Sequence, residues 1–373
     1  MKIHLSRPDI SEADIEAVCR VLRGPDLSLG PKLGEFERAF ERYTGRKHAV
    51  AVNSGTSGLF LCMLASKIGP GDEVITTPFT FIASANCIMM AGAEPVFVDI
   101  DPESLNIDAS AVEKKIGPKT KAILPVEVFG NPSGMDKICE TAARHGLMVI
   151  EDCCEALGTE LDGKKAGTFG KMGVFAFYPN KQITTGEGGM IVTDDQDLAE
   201  TCVSLRNQGR ASGAGWLAHE RLGYNFRLSD INCALGIAQL SRIEAIKARR
   251  RRVAQWYRRI LAGDERLIVP AEPEGCSMSW FVFVVRLAEG YGAEQRDEVL
   301  RRMRDSGIQV SNYFPPVHLQ PFMVERFGYK PGDFPVTESV SRRTVALPFY
   351  NNLSREQVET VCRRLGQILD KIT

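Results

Sequence analysis

The chain has 373 residues, of which 44% are hydrophobic and 25% are charged, proportions typical of a soluble globular protein with room for one large and one smaller domain. Its 46 lysines and arginines nearly balance its 47 aspartates and glutamates, which argues against a nucleic-acid or anionic-membrane partner. The 10 cysteines and 5 histidines are scattered, so we expect reduced thiols rather than a disulfide framework or a metal site. A polar N-terminus and short apolar runs predict a cytoplasmic protein with no membrane span.

Two amphipathic helices are predicted before the first strand. Ser11 is followed by Asp14 in the manner of a capping box, and apolar residues at helical spacing predict a helix over residues 11–23. A loop marked by glycine and proline follows, and residues 33–43 are predicted to be helical again.

From residue 48 onward the pattern changes to alternating strands and helices. The predicted strands are 48–52, 73–77, 95–98, 121–127, 147–151, 174–178 and 190–193. The helices between them include 56–67, 80–91 and 134–145. Strands that are apolar almost throughout belong to a sheet covered on both faces, and regular alternation with helices favours parallel pairing. We therefore predict an α/β fold whose seven-stranded, mostly parallel sheet is sandwiched by helices.

The C-terminal third has a different pattern. Residues 227–260 are predicted to form one long helix, and its basic run Lys247–Arg252 is interpreted as a solvated or subunit-contacting face. The elements predicted after it are a strand at 279–287, a helix at 296–306, a strand at 309–312 and a helix at 354–372. These elements predict a smaller α+β domain. We place residues 1–250 in the large domain, including an N-terminal arm, and residues 251–373 in the small one.

Polar residues follow several of the predicted strand ends. Ligands of open parallel sheets bind beyond the carboxyl ends of the strands, so Asn53–Thr56, Pro78–Phe81, Asp152 and Lys181 are expected to converge on one crevice. Lys181 stands in a glycine-rich turn between two buried strands. A lysine held against apolar walls can lose its charge and attack carbonyl groups. A solvated loop lysine is the alternative that this pattern alone leaves open.

The stretch around this lysine resembles a known family. Residues 173–192, with the run Thr184-Thr-Gly-Glu-Gly-Gly189, and Asp152 upstream, resemble the cofactor-lysine segment of the DegT/StrS sugar aminotransferases. The resemblance extends from the Gly30-Pro-Lys-Leu-Gly-Glu-Phe-Glu loop to Tyr313-Phe-Pro-Pro-Val-His318 and Leu347-Pro-Phe-Tyr, which is nearly the whole chain. Members of this family are pyridoxal 5′-phosphate (PLP) enzymes of the aspartate-aminotransferase fold, fold type I, so the resemblance implies that fold and that cofactor.

The resemblance also implies roles for individual residues. The lysine that matches Lys181 carries the cofactor in the family. Asp152 would pair with the protonated pyridine nitrogen, since a buried carboxylate needs a partner; on the residues alone, an N-cap for a following helix is an equal alternative. Gly55 and Thr56 match the residues that hold the phosphate, and free N–H groups at a helix start suit a phosphate dianion.

Four further positions follow from the resemblance. Phe81 matches the aromatic residue that stacks on the cofactor ring, and Glu155 lies where the family carries Gln or Glu near the ring hydroxyl or the lysine. Asn225 matches an asparagine that reaches the phosphate from the neighbouring subunit, which implies a homodimer with a shared active site. Ala176 departs from the family, in which most members have a serine that donates to the phosphate. A lost charge-assisted hydrogen bond costs roughly 1.5–3 kcal/mol if nothing replaces it.

The implied activity is ping-pong transamination. L-Glutamate would give its amino group to a keto sugar, with C4 of a nucleotide-linked 4-keto-6-deoxyhexose as the first candidate, for an amino sugar of a surface polysaccharide or glycan. Lys181 would then act as the general base. Glu155 and residues 162–170 favour perosamine-synthase-like 4-amination. The candidates for contact with the sugar or its nucleotide are Ser28, Gly30, Tyr313 and His318.

Three alternatives stay open. The first is amination of a C3-keto sugar or a keto-inositol. The second is a PLP-dependent sugar dehydratase, although dehydratases of this fold replace the lysine with histidine, so Lys181 argues against it. The third is a non-catalytic regulatory protein, against which the intact pair of Lys181 and Asp152 also argues.

Overall fold

The structure is a computed structural model that describes residues 2–211 and 217–372. The helices, in chain order, are α1 (Glu12–Leu22), α2 (Pro31–Thr44), α3 (Gly55–Ala65), α4 (Ala83–Met90), α5 (Ala109–Val112), α6 (Met135–His145), α7 (Gln196–Arg206), α8 (Asp230–Ser241), α9 (Ile243–Ile260), α10 (Ala293–Asp305), α11 (Pro321–Phe327), α12 (Pro335–Ser341) and α13 (Arg355–Leu369). The strands are β1 (His48–Val52), β2 (Glu73–Thr76), β3 (Glu94–Phe97), β4 (Thr120–Ile123), β5 (Met148–Asp152), β6 (Glu160–Leu161), β7 (Lys164–Lys165), β8 (Met172–Ala176), β9 (Gly189–Thr193), β10 (Leu267–Ile268), β11 (Cys276–Ser277), β12 (Phe283–Leu287) and β13 (Thr344–Leu347).

A seven-stranded sheet organises the larger part of the chain. Its strand order is β1-β9-β8-β5-β4-β2-β3. The pairs from β8 through β5, β4 and β2 to β3 are parallel, whereas β9 is antiparallel to both of its neighbours. The predicted α/β fold with a seven-stranded, mostly parallel sheet is therefore confirmed.

Helices cover both faces of this sheet. Helix α3 is apolar on all sides, and Leu59–Met63 are buried; it packs with α4 and α7 in one hydrophobic cluster. On the other face, α2 places Phe40 at 5.3 Å from Phe175 and Phe36 at 5.5 Å from Phe177, measured between ring centroids. The carboxyl ends of the parallel strands are left uncovered by these helices, and the cavity described below lies there.

Helix α1 begins with the predicted capping box. Asp14 Oδ2 accepts a hydrogen bond from the Ser11 backbone N–H at 2.7 Å, and Ser11 Oγ accepts one from the Asp14 N–H at 3.4 Å. The prediction is confirmed here because the signal is local: donor and acceptor lie within one turn of each other.

The single long helix predicted over residues 227–260 is wrong. Helices α8 and α9 meet at Arg242, whose backbone angles of φ −115° and ψ 18° depart from those of a helix. Its guanidinium group donates to the backbone carbonyl of Asp9 and, at 2.8 Å, to Asp14 Oδ2. Contacts with a distant segment thus accompany a break that the local pattern does not show.

The interpretation of the basic run on α9 is wrong at one position. Arg249 has a side chain that is nearly half exposed and pairs with Asp9 at 3.2 Å. Arg250, next to it, is only 2% exposed. The helix therefore turns one of its arginines into the protein interior, where its contacts are backbone and amide oxygens.

The C-terminal part of the chain is built on a three-stranded antiparallel sheet in the order β10-β12-β13. Helices α10 and α13 and the second half of α9 share one hydrophobic cluster with it. The strand predicted at 309–312 is wrong, since only an isolated bridge between Ser311 and Ala346 forms before the chain turns toward the cavity. The domain boundary after residue 250 stays a prediction.

The N-terminal arm packs against this C-terminal part. Ile3 is 1% exposed, forms a parallel bridge with Ile308 and belongs to the same hydrophobic cluster. Asp9 accepts a hydrogen bond at 3.0 Å from Asn351, which lies 342 positions later. The two ends of the sequence therefore build one core.

The ten cysteines are free thiols in the structure. Over the residues that the structure covers, no helix combines the length and the apolar character needed to cross a membrane.

Candidate active site

A cavity of about 550 Å³ lies at the carboxyl ends of β5 and β8. Its walls come from the β1–α3 loop, the segment before α4, the β8–β9 turn and two C-terminal segments around residues 281 and 312–315. The predicted site residues that line it are Gly55, Thr56, Phe81, Asp152, Glu155, Lys181 and Tyr313. The predicted convergence of the strand ends on one crevice is therefore confirmed.

The side chain of Lys181 reaches the inner wall of this cavity. Its Nζ atom lies 3.5 Å from Glu155 Oε1 and 4.0 Å from the centroid of the Phe281 ring. Only 13% of the side chain is exposed. The amine is thus held between a carboxylate and an aromatic face, and the alternative of a solvated loop lysine is excluded.

Asp152 is a buried carboxylate at the cavity wall. It is 5% exposed, its Oδ2 accepts a hydrogen bond from Ser84 Oγ at 2.7 Å, and its Oδ1 accepts one from the Cys154 N–H at 3.1 Å. No helix starts directly after it, so it is not a helix cap. Within the described chain no basic side chain pairs with it at 4 Å or less. A cationic ligand in the cavity would supply the missing partner.

Helix α3 starts at the same wall, with Ser54 as its side-chain N-cap. The backbone N–H groups of Gly55 and Thr56 belong to the first turn and have no acceptor within the helix. A side chain at Gly55 would not fit, because its Cβ would lie 2.8 Å from both Ala176 Cβ and Cys154 Sγ. The first turn of α3 therefore provides free donors and a positive dipole end, which suit a phosphate.

Two positions on the wall bear directly on a flat, phosphorylated ligand. Phe81 is 61% exposed despite its size, and its ring lines the cavity. Ala176 lines it too and offers no hydroxyl group. Ser54, Thr56 and Tyr178 lie on the same wall and carry hydroxyl groups.

Glu155 connects the lysine with the surrounding backbone. Burial raises the pKa of its carboxyl group, while the Lys181 amine at 3.5 Å acts in the opposite direction. Its Oε2 atom also accepts a hydrogen bond from the Phe129 N–H at 2.9 Å, and its backbone carbonyl accepts one from Gln182 Nε2 at 2.7 Å. The carboxyl group is therefore fixed beside the amine.

Three predicted site residues lie away from this cavity in their own chain. Asn225 forms an isolated backbone bridge with Asn207. The Gly30 N–H donates to Asp230 Oδ2 at 2.8 Å, and Ser28 lies in the exposed loop before α2. The fold of one chain does not bring these residues to the cavity, and their contacts with cofactor or substrate stay predictions.

His318 does not line the cavity either. Its ring is fully buried, with Nε2 at 3.3 Å from Glu338 Oε1 and the ring centroid at 4.7 Å from that of Phe334. Burial lowers the pKa of the imidazole. Direct contact with a sugar would require this side chain to leave its cluster.

Sequence reasoning missed several residues of the wall. Phe281 and Asn312 come from the C-terminal part, 100 or more positions after Lys181, and no local pattern marks them. Asn180 directly precedes Lys181 and also lines the cavity. Its Oδ1 atom is buried and has no hydrogen-bond partner in the parts of the chain that the structure covers. Adjacency to the lysine was the one signal that could have identified it.

The chain is similar to proteins of known family. The model of the DegT/DnrJ/EryC1/StrS aminotransferase family matches residues 8–366. A GDP-perosamine synthase of Caulobacter vibrioides is 40% identical over 343 residues, with 92% of this chain and 91% of that protein covered. The spore coat polysaccharide biosynthesis protein SpsC of Bacillus subtilis is 38% identical over 374 residues, with 98% and 96% covered. Spr1654 of Streptococcus pneumoniae, assigned as a sugar aminotransferase and solved in its PLP form, superimposes with a TM-score of 0.95 at 28% identity and full coverage of both chains.

Fold and site together define a PLP-dependent aminotransferase of fold type I. The chain belongs to the DegT/DnrJ/EryC1/StrS aminotransferase family. The predicted enzyme class, a PLP-dependent sugar aminotransferase, and the predicted cofactor are confirmed. The residues of the cavity fit that cofactor, since they combine a partly buried amine, a buried carboxylate that lacks a cation, free helix donors and an exposed aromatic ring.

Proposed function

We propose that this enzyme transfers an amino group from L-glutamate to C4 of a nucleotide-linked 4-keto-6-deoxyhexose. The observation that carries the proposal is that Lys181 and Asp152, an amine and a carboxylate without a cation, line one cavity. The similarity to a GDP-perosamine synthase over most of both chains supports a nucleotide sugar as the acceptor.

Each cofactor contact has a candidate on the cavity wall. Lys181 would carry PLP, Asp152 would pair with the pyridine nitrogen, and Phe81 would stack on the ring. Gly55 and Thr56 would bind the phosphate at the start of α3. When bound, PLP supplies an electron sink for the pair of electrons left at the substrate carbon after proton removal.

The proton transfers fall to residues of this chain. Lys181, when its amine is free, takes the proton from the substrate carbon as general base and returns it on the product side. Glu155 lies 3.5 Å from that amine and can hold a second proton. Because burial raises the pKa of Glu155, its carboxyl group retains a proton at a pH at which an exposed glutamate has lost it.

The outer wall of the cavity provides polar groups for a sugar. Tyr313, Asn312 and Asn180 all line the cavity with polar side chains. Such polar groups favour a hydroxylated acceptor over an apolar keto acid.

The cavity of one chain is short of positive charge. Among the residues that the structure describes, Lys181 is the one basic side chain on its wall. Glutamate brings two carboxylates and a nucleotide sugar brings phosphates, and charges of this kind need partners when they leave water. This shortage supports a homodimer in which the partner subunit completes the site, with Asn225 as one contributed residue.

The test of the reaction is a substrate panel. The enzyme is incubated with L-glutamate and with UDP-, GDP- and dTDP-linked 4-keto-6-deoxyhexoses, and the new amine is located by NMR. We expect an amine at C4 and an equal amount of 2-oxoglutarate. The absence of an amine at C4 with all three nucleotide sugars would overturn the proposal.

The role of the lysine is tested by reductive trapping. Borohydride reduction followed by peptide mass spectrometry should place PLP on Lys181, and Lys181→Ala should abolish both trapping and turnover. Lys171→Ala is the matched control, because that lysine is half exposed and pairs with Asp195 on the surface. Trapping that persists in Lys181→Ala would assign the cofactor to another lysine.

The shared site is tested by complementation. Lys181→Ala and Asn225→Ala proteins are each expected to be impaired, and a mixed dimer would hold one site with both native residues. After subunit exchange, about a quarter of wild-type activity should return if residues from two subunits form each site. Activity that never exceeds the sum of the two separate proteins would show that Asn225 does not complete the site of the other subunit.

A further inference from the structure

One short segment of the C-terminal part closes the cavity beside the lysine. The ring centroid of Phe281 lies 4.0 Å from Lys181 Nζ, and Phe281 is 2% exposed. Two residues earlier, Ser279 Oγ accepts a hydrogen bond from Gln182 Nε2 at 2.8 Å. Segment 279–281 therefore contacts two consecutive residues of the turn that carries the amine.

The backbone of this segment is in an unfavourable conformation. Trp280 has φ +55°, in the left-handed region that is unfavourable for an L-residue with a bulky side chain. The conformation sends the two aromatic side chains in different directions. Trp280 packs in the C-terminal hydrophobic cluster, 5.9 Å from Phe283 between ring centroids, whereas Phe281 lines the cavity. Such a conformation persists where the surroundings hold it.

Arg250 is the group that holds it. Its Nε atom donates to the Trp280 carbonyl and its Nη2 atom to the Phe281 carbonyl, both at 2.6 Å, and Nη1 donates to Asn351 Oδ1 at 2.8 Å. In the described residues no carboxylate lies within 4 Å of the guanidinium group. Burial lowers the pKa of Arg250 to about 10, so the group keeps its charge at neutral pH. A planar fork binds two successive carbonyls in a way that a lysine cannot reproduce.

We propose that Arg250 is a positioning residue for Lys181. By binding the carbonyls of Trp280 and Phe281, it keeps the Phe281 ring against the ε-amino group of the lysine. Glu155 is the second group that contacts this amine. An ammonium group is attracted to the face of an aromatic ring, so ring and carboxylate together fix where the amine lies whenever it is not bonded to a ligand. This inference rests on the proposed role of Lys181 as the cofactor-bearing amine.

The experiment compares two disruptive variants with two controls. Phe281→Leu removes the aromatic face and keeps an apolar side chain, and Arg250→Lys keeps the charge but loses the fork. Phe281→Tyr retains the face. Arg343→Lys alters another buried arginine of the C-terminal part, which donates to the Leu287 carbonyl at 3.2 Å and does not line the cavity.

Three quantities are measured for each variant: the rate at which apoprotein captures PLP, the induced circular dichroism of the bound PLP, and kcat and KM for L-glutamate. Phe281→Leu and Arg250→Lys should each slow capture and lower kcat by about 3- to 30-fold, the range that cation–π energies imply. Their induced circular dichroism should change, and KM should change less than kcat. Phe281→Tyr and Arg343→Lys should behave like the wild type in capture and circular dichroism.

Capture and circular dichroism at wild-type values in Arg250→Lys would show that the clamp on the two carbonyls does not position the amine. Capture at the wild-type rate by Phe281→Leu would show that the ring does not position the amine. Slow capture by Arg343→Lys to the same degree would show a general loss of stability. If Arg250→Lys does not fold, the pair of variants at position 281 still decides the role of the ring. PLP captured equally well by Lys181→Ala would instead overturn the role proposed for Lys181, which separates the two failures.

Discussion

Two neighbouring acids at the end of β5 have opposite surroundings. Successive side chains of a strand point to opposite faces of the sheet, and Asp152 lines the cavity while Glu151 is fully buried on the other side. Glu151 Oε1 accepts a hydrogen bond from the Gly170 N–H at 2.6 Å, and Oε2 accepts one from the Gly167 N–H at 2.9 Å. The carboxylate of Glu151 is therefore bound by backbone N–H groups of the protein, whereas the carboxylate of Asp152 faces the cavity and is available to a ligand.

A third acid, Glu127, is buried close to Glu151, away from the cavity. Glu127 is fully buried, its Oε1 atom lies 3.6 Å from Cys153 Sγ, and Oε2 has no donor facing it in the described structure. Burial, together with the nearby carboxylate of Glu151, raises the pKa of Glu127 well above its ordinary value. We therefore assign the proton of this pair to Glu127. Burial alone therefore does not identify a functional acid. A functional acid is identified by facing the cavity without a basic side chain to pair with it.

The largest effect is expected on the cavity side. Asp152→Asn should lower kcat by about 10²- to 10³-fold, since it removes a charge placed for the reaction. Its thermal midpoint should stay close to the wild-type value, because the amide oxygen can accept from the Cys154 N–H while the amide nitrogen donates to Ser84 Oγ, which can accept as well as donate. Steady-state kinetics test the loss of kcat, and a melting curve tests the unchanged thermal midpoint. A loss of kcat below tenfold would contradict the role assigned to Asp152.

The opposite outcome is expected for Glu151→Gln. An amide nitrogen would face a glycine N–H where a carboxylate oxygen now accepts, and an unpaired buried donor costs about 1–3 kcal/mol. Urea unfolding should show this loss of stability, while kcat per folded site changes little. Normal stability combined with a large loss of kcat would show that Glu151 acts in the reaction rather than in the stability of the fold.

Glu127→Gln tests where the shared proton lies. In the wild type the folded protein keeps a proton that the unfolded chain releases above its ordinary pKa of 4.5, so the free energy of unfolding should fall as pH rises beyond that value. An amide does not titrate, so the variant should lack this decline, and between pH 5.5 and pH 7 its free energy of unfolding should depend less on pH than that of the wild type. Identical pH dependence of urea unfolding in both proteins would place the proton elsewhere.

The smallest effect is expected from Ala176→Ser. On β8, as on β5, a residue that lines the cavity lies next to residues that are buried in the core. Phe175 and Phe177 are sealed in the core, while Ala176 between them lines the cavity. A hydroxyl there would add one donor to the proposed phosphate site and tighten PLP binding by up to about tenfold. Fluorescence titration of apoprotein measures this change. An unaltered affinity would mean that another hydroxyl group already serves the phosphate.

The comparison also shows which features a sequence discloses. The strands around Asp152 and the capping box at Ser11 depend on neighbours in the chain, and both were predictable. The clamp of Arg250 on the Trp280 carbonyl joins residues 30 positions apart, and the break at Arg242 depends on Asp9, 233 positions away. A run of basic residues looks the same whether its members face water or carbonyl oxygens, because the partner is fixed only by tertiary packing.

The packing of the N-terminal arm against the C-terminal part has a consequence for biosynthesis. Asn351 leaves the ribosome 342 positions after Asp9, a delay of roughly 20 to 70 seconds at ordinary translation speeds. Through that interval the core that buries Ile3 is incomplete, and this apolar side chain stays exposed to solvent. Helices α10 and α13, which are synthesised hundreds of residues after Ile3, are therefore among the elements that bury it.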